Sequence, residues 1–132
     1  MRAMLFRQHG GPDVLEDAQV PDPVPAAGEL LVRVKACALN RLDLWIRQGI
    51  PAYHVALPHI SGCDVAGVVE RLGPGVTHPT VGTRAELDAV TRLMAAGSLK
   101  PVVDTVFPLH EARAAQERML SREVFGKLVL VP

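Results

Sequence analysis

Eleven prolines and eleven glycines punctuate the 132 residues, and this density of turn formers restricts the fold more than any other feature. It suits a strand-rich body joined by tight turns. Residues 1–7 are β-compatible and end at Gly10-Gly11-Pro12-Asp13, a strong turn signal, after which residues 14–20 can pair back as a second strand. Pro21, Pro23 and Pro25 forbid a central strand and read as an extended connector. Residues 30–39 then alternate, with Val32, Val34, Ala36 and Ala38 on one face and Arg33 and Lys35 on the other. That period of two predicts a half-buried strand.

Asn40 can cap a short helix that Gly49 stops, with Leu42, Trp45 and Ile46 as its apolar stripe. Residues 50–61 read as a loop containing proline and histidine. Residues 62–72 read as a buried strand around Val65-Ala66-Gly67-Val68-Val69, ended by Gly73-Pro74-Gly75. Past Gly82 the period changes. Thr83 and Glu86 have capping-box spacing, and Leu87, Val90, Leu93 and Met94 recur on one helical face up to Gly97, a stripe that reads as core or as a partner site. A strand over residues 101–108, a helix over 111–121 with Ala112, Ala115 and Met119 inward, and a strand over 125–131 complete the chain. The expected fold is α+β, mainly β: one domain over residues 1–132, strand-rich over 1–82, with a β-α-β-α-β return over 83–132 and no internal repeats.

Composition removes several functions. Lys+Arg and Asp+Glu both number 14, so the chain has no net charge with which to seek a phosphate backbone or an anionic membrane. Aromatic residues make up 4%, too few for a base-stacking platform, so no nucleic acid partner is expected. Cys37 and Cys63 are too few for a disulfide framework, and no apolar run suits a membrane span or a secretory leader. A reduced, cytoplasmic protein is the expectation.

Three ordered motifs carry a resemblance: Asn40-Arg41-Leu42-Asp43 through Arg47-Gln48-Gly49; Leu57-Pro58 with Ser61-Gly62-Cys63-Asp64-Val65-Ala66-Gly67-Val68-Val69-Glu70; and Gly97-Ser98-Leu99-Lys100-Pro101 with Phe107-Pro108-Leu109 and Phe125-Gly126-Lys127. Together they resemble the medium-chain dehydrogenase/reductase superfamily, in its zinc-free quinone oxidoreductase-like branch. The resemblance implies a GroES-like substrate-side domain, a partly open barrel. It also implies that Asn40 and Cys63 stand where the zinc-dependent branch has a cysteine and a histidine ligand. An amide oxygen is a poor zinc ligand, so no metal is expected. His54, His59, Cys63 and Asp64 form a second group of plausible ligands, but in no standard structural zinc pattern.

The resemblance also implies a nucleotide-binding domain between the glycine turn and the C-terminal return. Here Gly73-Pro74-Gly75 leads within a few residues to Thr83, with Val81-Gly82-Thr83-Arg84 marking the junction. Gly73-Pro74-Gly75 is the sole Gly-x-Gly, His78 stands where a third glycine belongs, and no P-loop is present. No cofactor is expected for the chain alone; NADPH or NADH would bind only where a partner or a dimer supplies the site.

By the same resemblance Asn40, Asp43 and Tyr53 are the remnant of an active site near a substrate carbonyl, and Lys127 is a weak candidate for a cofactor phosphate. Each has an ordinary alternative: Asn40 caps the helix, Asp43 serves its first turn, Tyr53 packs on the loop, and Lys127 is a solvated lysine. Arg41 and Arg47 read as exposed helix arginines. Three functions compete: a substrate-side module not catalytic alone; a reductase of quinones or conjugated carbonyls completed by a nucleotide-domain partner; and a GroES-like scaffold. A homodimer through the face exposed by the missing domain is expected.

Overall fold

The computed structural model describes residues 1–51, 54–82, 84–85 and 100–132. Tyr53 and residues 86–97 of the helix expected from Thr83 onward, with its Leu87, Val90, Leu93 and Met94 stripe, lie outside the described residues, whereas Arg84 and Ala85, expected in its first turn, form a short strand instead.

Two sheets form the body. In the first, β1 (Arg2–Phe6) is central between β2 (Glu16–Gln19) and β4 (His59–Ile60), both antiparallel to it. The Gly-Gly-Pro-Asp turn makes the return as expected, with Pro12–Val14 forming one 3-10 turn. The second has the order β6-β5-β3-β8-β7, built from β3 (Leu30–Ala38), β5 (Asp64–Leu72), β6 (Arg84–Ala85), β7 (Val103–Pro108) and β8 (Lys127–Val131). Strands β3 and β5 pair antiparallel along nearly their whole length. Strand β7 runs parallel to β8, and α2 (Ala112–Ser121) makes the crossover between them that a parallel pair requires.

Period-two reading of β3 fails in one respect. Ala36 pairs with Ala66 while Val34 pairs with Gly67, so Lys35 is an extra residue and the ladder bulges there. Between Leu31 and Val32 the surplus residue is Glu70 on β5. These shifts break the strict alternation, and Val34, expected on the buried face, is 42% exposed. Val65, expected inside the β5 core, is 48% exposed, whereas Gly67 and Val69 are buried. Close approach dictates the glycine: a Cβ at Gly67 would strike the carbonyl oxygen of Arg33 and the Val32 side chain.

The core lies where β1, α2 and β8 meet. Met4, Phe6, Leu15 and Leu39 from the first part of the chain pack with Ala112, Ala115, Leu128 and Leu130 from the last. Residues on either side of the expected junction therefore share one buried cluster. Ala112 and Ala115 are inward as their spacing predicts, and Met119 packs against the same cluster. Between the two sheets the packing stops short, leaving a cleft of roughly 570 Å3. No described helix is long and apolar enough to cross a membrane.

Candidate functional site

Helix α1 (Arg41–Gln48) begins where β3 ends, and the handover is chemically specified. Asn40 keeps an extended backbone, and its N–H donates to the Asp43 carboxylate at 2.7 Å, the arm of a capping box that reaches back from the third helical residue. At the other end Gly49 adopts a left-handed conformation and its N–H bonds the carbonyls of Trp45 and Ile46. Both ends match the expected cap and stop.

The helix face does not. Its buried residues are Asp43, Leu44 and Arg47. Leu42 and Ile46 are half-buried, and Trp45, expected in the apolar stripe, is 50% exposed. Arg41 is exposed as read, but Arg47 is 0% exposed. Its Nε donates to Gln116 Oε1 at 2.6 Å, and Nη1 donates to the Gly10 carbonyl. Burial pulls the guanidinium below its ordinary value, with the charge of Asp13 opposing. Sequence reasoning missed this residue because a short helix whose buried stripe includes an arginine gives no hydropathy signal.

The amide of Asn40 also turns toward β5 and β8. Lys127 Nζ donates to Asn40 Oδ1 at 2.5 Å and to Asp64 Oδ2 at 3.3 Å. Asn40 Nδ2 lies 3.6 Å from Cys63 Sγ, and that thiol lies 4.0 Å from Asp43 Oδ1. The fold thus brings together Asn40, Asp43 and Lys127 from the expected set, adding Cys63 and Asp64. Lys127 is held by an amide and a carboxylate while its side chain remains half-exposed.

Electrostatics divide the two carboxylates. Burial is the leading cause that raises Asp43, with Asp64 adding to the rise; the hydrogen bond from Asn40 and the charge of Lys127 oppose it. Asp64 is lowered, chiefly by its hydrogen bond with the Asn40 side chain and then by Lys127. Burial also raises the thiol of Cys37, with Asp43, Cys63 and Asp64 contributing. The group can present an ammonium and an amide N–H to an oxygen of a bound carbonyl compound.

Of the second ligand set, His59 stands against Phe6 with ring centroids 5.3 Å apart, and His54 is exposed in the loop. No cluster of three or more His, Cys, Asp or Glu side chains among the described residues is arranged to hold a metal ion. The glycine turn bonds back onto its own neighbours. Gly73 N–H is bound to the Glu29 carbonyl, the Gly73 carbonyl accepts Val76 N–H, and the Pro74 carbonyl accepts Gly28 N–H. The turn holds itself to the β2–β3 connector, and residues 76–82 that follow it are not helical. These residues do not fit a pyrophosphate cradle, which needs free backbone N–H groups at a helix N-terminus.

Comparison with known proteins agrees with this architecture. The alcohol dehydrogenase GroES-like domain family matches residues 26–100. Mouse quinone oxidoreductase is 35% identical over 112 residues, which are 84% of this chain and 34% of that protein. The native structure of a mycobacterial quinone oxidoreductase aligns at 40% identity with a TM-score of 0.59, covering 64% of this chain and 26% of the other. Human synaptic vesicle membrane protein VAT-1 homolog-like protein aligns over the whole chain and 98% of the matched chain, with a TM-score of 0.88 and 16% identity, a likeness of fold alone. The chain thus spans about a quarter to a third of the quinone oxidoreductases it matches. With a matching family domain over more than half its length and the strand, cap and turn geometry just described, the chain belongs to the alcohol dehydrogenase GroES-like domain family of the medium-chain dehydrogenase/reductase superfamily.

Proposed function

We propose that this chain is a substrate-side module of quinone oxidoreductase type, which contacts a quinone or another conjugated carbonyl and does not carry out its reduction alone. One observation carries the reading. The polar groups for a carbonyl oxygen are assembled at Asn40 and Lys127, while the only Gly-x-Gly turn is tied to the β2–β3 connector through Gly73 N–H and the Pro74 carbonyl and runs into a non-helical stretch over residues 76–82. Reduction would then need NADPH or NADH held by a nucleotide-domain partner or across a dimer.

A specific surface supports a partner. Strand β7 is an edge of its sheet among the described strands, and Val103 and Val106 along it and Val102 just before it are exposed, as is Phe125 at 84%. An apolar sheet edge invites pairing. A homodimer at this edge is the simplest arrangement, and a monomer in light scattering over a wide concentration range would remove it.

The test is an equilibrium titration of the purified chain with NADPH and with NADH, followed by nicotinamide fluorescence. Lack of binding at millimolar cofactor is the expected result, with quinone reduction appearing only on addition of a nucleotide-binding partner. Saturable binding near micromolar would overturn the incomplete-module reading and make the chain a candidate reductase by itself.

A further inference from the structure

We infer that the cleft between the two sheets, which meets the Asn40 group only at Cys63 and Asp64, is itself a ligand site, shaped for a small, neutral, mostly apolar molecule. This inference does not rest on the function proposed above. It starts from hydrophobic side chains that the fold leaves uncovered. Val34 and Val65, on paired strands, and Ile60, on the opposing sheet, are all large exposed hydrophobics, and all three line the cleft. Leu31, Leu39 and Leu130 extend the same lining inward. Apolar surface left in water costs about 25 cal/mol per Å2, so an apolar guest is favoured by simple burial.

Size and charge narrow the guest. A volume of roughly 570 Å3 lies within the usual range for small-molecule pockets, about 300–1,000 Å3. Of the arginines that reach the cleft, Arg2 bonds Asp17 and Arg33 bonds Glu70 at 2.5 Å, while Arg71 is exposed and Asp22 near it pairs with the N-terminal ammonium. Gln116, the buried polar side chain at the inner wall, has its oxygen taken by Arg47. A carboxylate or phosphate ligand would meet the exposed Arg71 guanidinium rather than a cluster of free cations. Weakly polar atoms remain at one end, where Cys37 and Cys63 both line the cleft. Cys37 is half-buried, and Gly62 closes over it so tightly that a Cβ there would lie 3.1 Å from its Sγ. The preferred ligand is therefore a neutral hydrocarbon-rich molecule carrying at most one weak acceptor toward the thiols.

The experiment uses N-phenyl-1-naphthylamine, a neutral fluorescent probe, beside the sulfonated anionic probe 8-anilinonaphthalene-1-sulfonate. The neutral probe should bind saturably, one per chain, with a dissociation constant on the order of tens of micromolar. Val34→Trp, which fills the cleft, should abolish that signal while circular dichroism is unchanged. A readout on the unaltered chain guards against misfolding of the variant. Iodoacetamide alkylation of Cys37, followed by peptide mass spectrometry, should slow about tenfold at probe concentrations ten times the dissociation constant. Non-saturating fluorescence, unchanged Cys37 alkylation, or equal binding by a folded Val34→Trp chain overturns the inference. Tighter binding of the anionic probe overturns its charge assignment. Probe exclusion that is relieved on dilution to monomer would show that a second copy, not a small ligand, covers the cleft. None of these readouts involves NADPH, so their failure is distinct from failure of the reductase-module reading.

Discussion

Arg47 Nε donates to Gln116 Oε1 at 2.6 Å across 69 residues of sequence, and both side chains are fully buried. The contact ties α1 to α2. Arg47 also clamps the first turn, because Nη1 reaches the Gly10 carbonyl while Gly10 N–H donates back to the Arg47 carbonyl at 3.0 Å. Nη2 has no hydrogen-bond partner among the described residues, so the guanidinium is held for its geometry at some cost.

Arg47→Ala should lower unfolding stability by about 2–4 kcal/mol, through a cavity and two stranded acceptors. Arg47→Lys should recover little, since one ammonium cannot reproduce a planar fork that serves Gln116 and Gly10 together. Urea denaturation of both variants checks this. Full recovery by lysine would mean that charge rather than shape is needed.

Lys127→Met should cost about 1 kcal/mol or less, because the lysine is half-exposed and its bonds to Asn40 and Asp64 are solvent-screened. The Lys127→Met/Asn40→Ala pair should be non-additive in a double-mutant cycle, since each removes the same hydrogen bond. A strictly additive pair would dissolve the contact between β8 and the α1 cap.

Two carboxylates should give opposite pH dependences. Asp104 is lowered by hydrogen bonds from Thr105, the Phe125 backbone N–H and Arg118. Its contribution to stability is present above the ordinary value of 3.8 and is lost as pH falls through the folded value. Asp43 is raised, mainly by burial. The folded state binds its proton more tightly, so its contribution is present below 3.8 and declines as pH rises from there to the folded value. Asp104→Asn should flatten the acid limb of a stability-against-pH curve, and Asp43→Asn should steepen it. Carboxyl NMR titration of the unaltered chain gives the same signs directly.

Gly67→Ala should destabilise by about 1–3 kcal/mol, because the new Cβ meets the Arg33 backbone rather than a flexible side-chain end. Gly75→Ala makes a useful comparison: nothing lies near its Cβ, so only its left-handed backbone opposes substitution. An unchanged thermal midpoint for Gly67→Ala would mean that the Arg33 carbonyl and Val32 give way to the new Cβ, since the Gly67 backbone is not left-handed.

Local chemistry was legible in the residues themselves. Asn40 with Asp43 announced a helix start, Gly49 its end, and Gly10-Gly11-Pro12-Asp13 a reversal, because caps and turns depend on neighbours within four residues. The helix over Ala112–Ser121 and the strand after it were readable for the same reason, since their periods are complete within one element. The motifs that resemble quinone oxidoreductases reached further: they indicated the family and offered Asn40, Asp43 and Tyr53 as active-site candidates and Lys127 as a cofactor-phosphate candidate.

What the chain's order does not encode is which face each element turns to which neighbour. Arg47 looked like a solvated helix arginine until α2 was packed over it, and Trp45 looked like core until the α1 axis rotated it outward. Val34 and Val65 read as interior because alternation assumes that a second layer covers the strand; the bulge at Lys35 and the cleft between the sheets removed that cover. Hydropathy and capping are properties of single segments, so sequence determined the elements and their ends. Burial, the Asn40–Lys127 contact and the cleft are properties of pairs of segments distant along the chain, and only tertiary packing decided them.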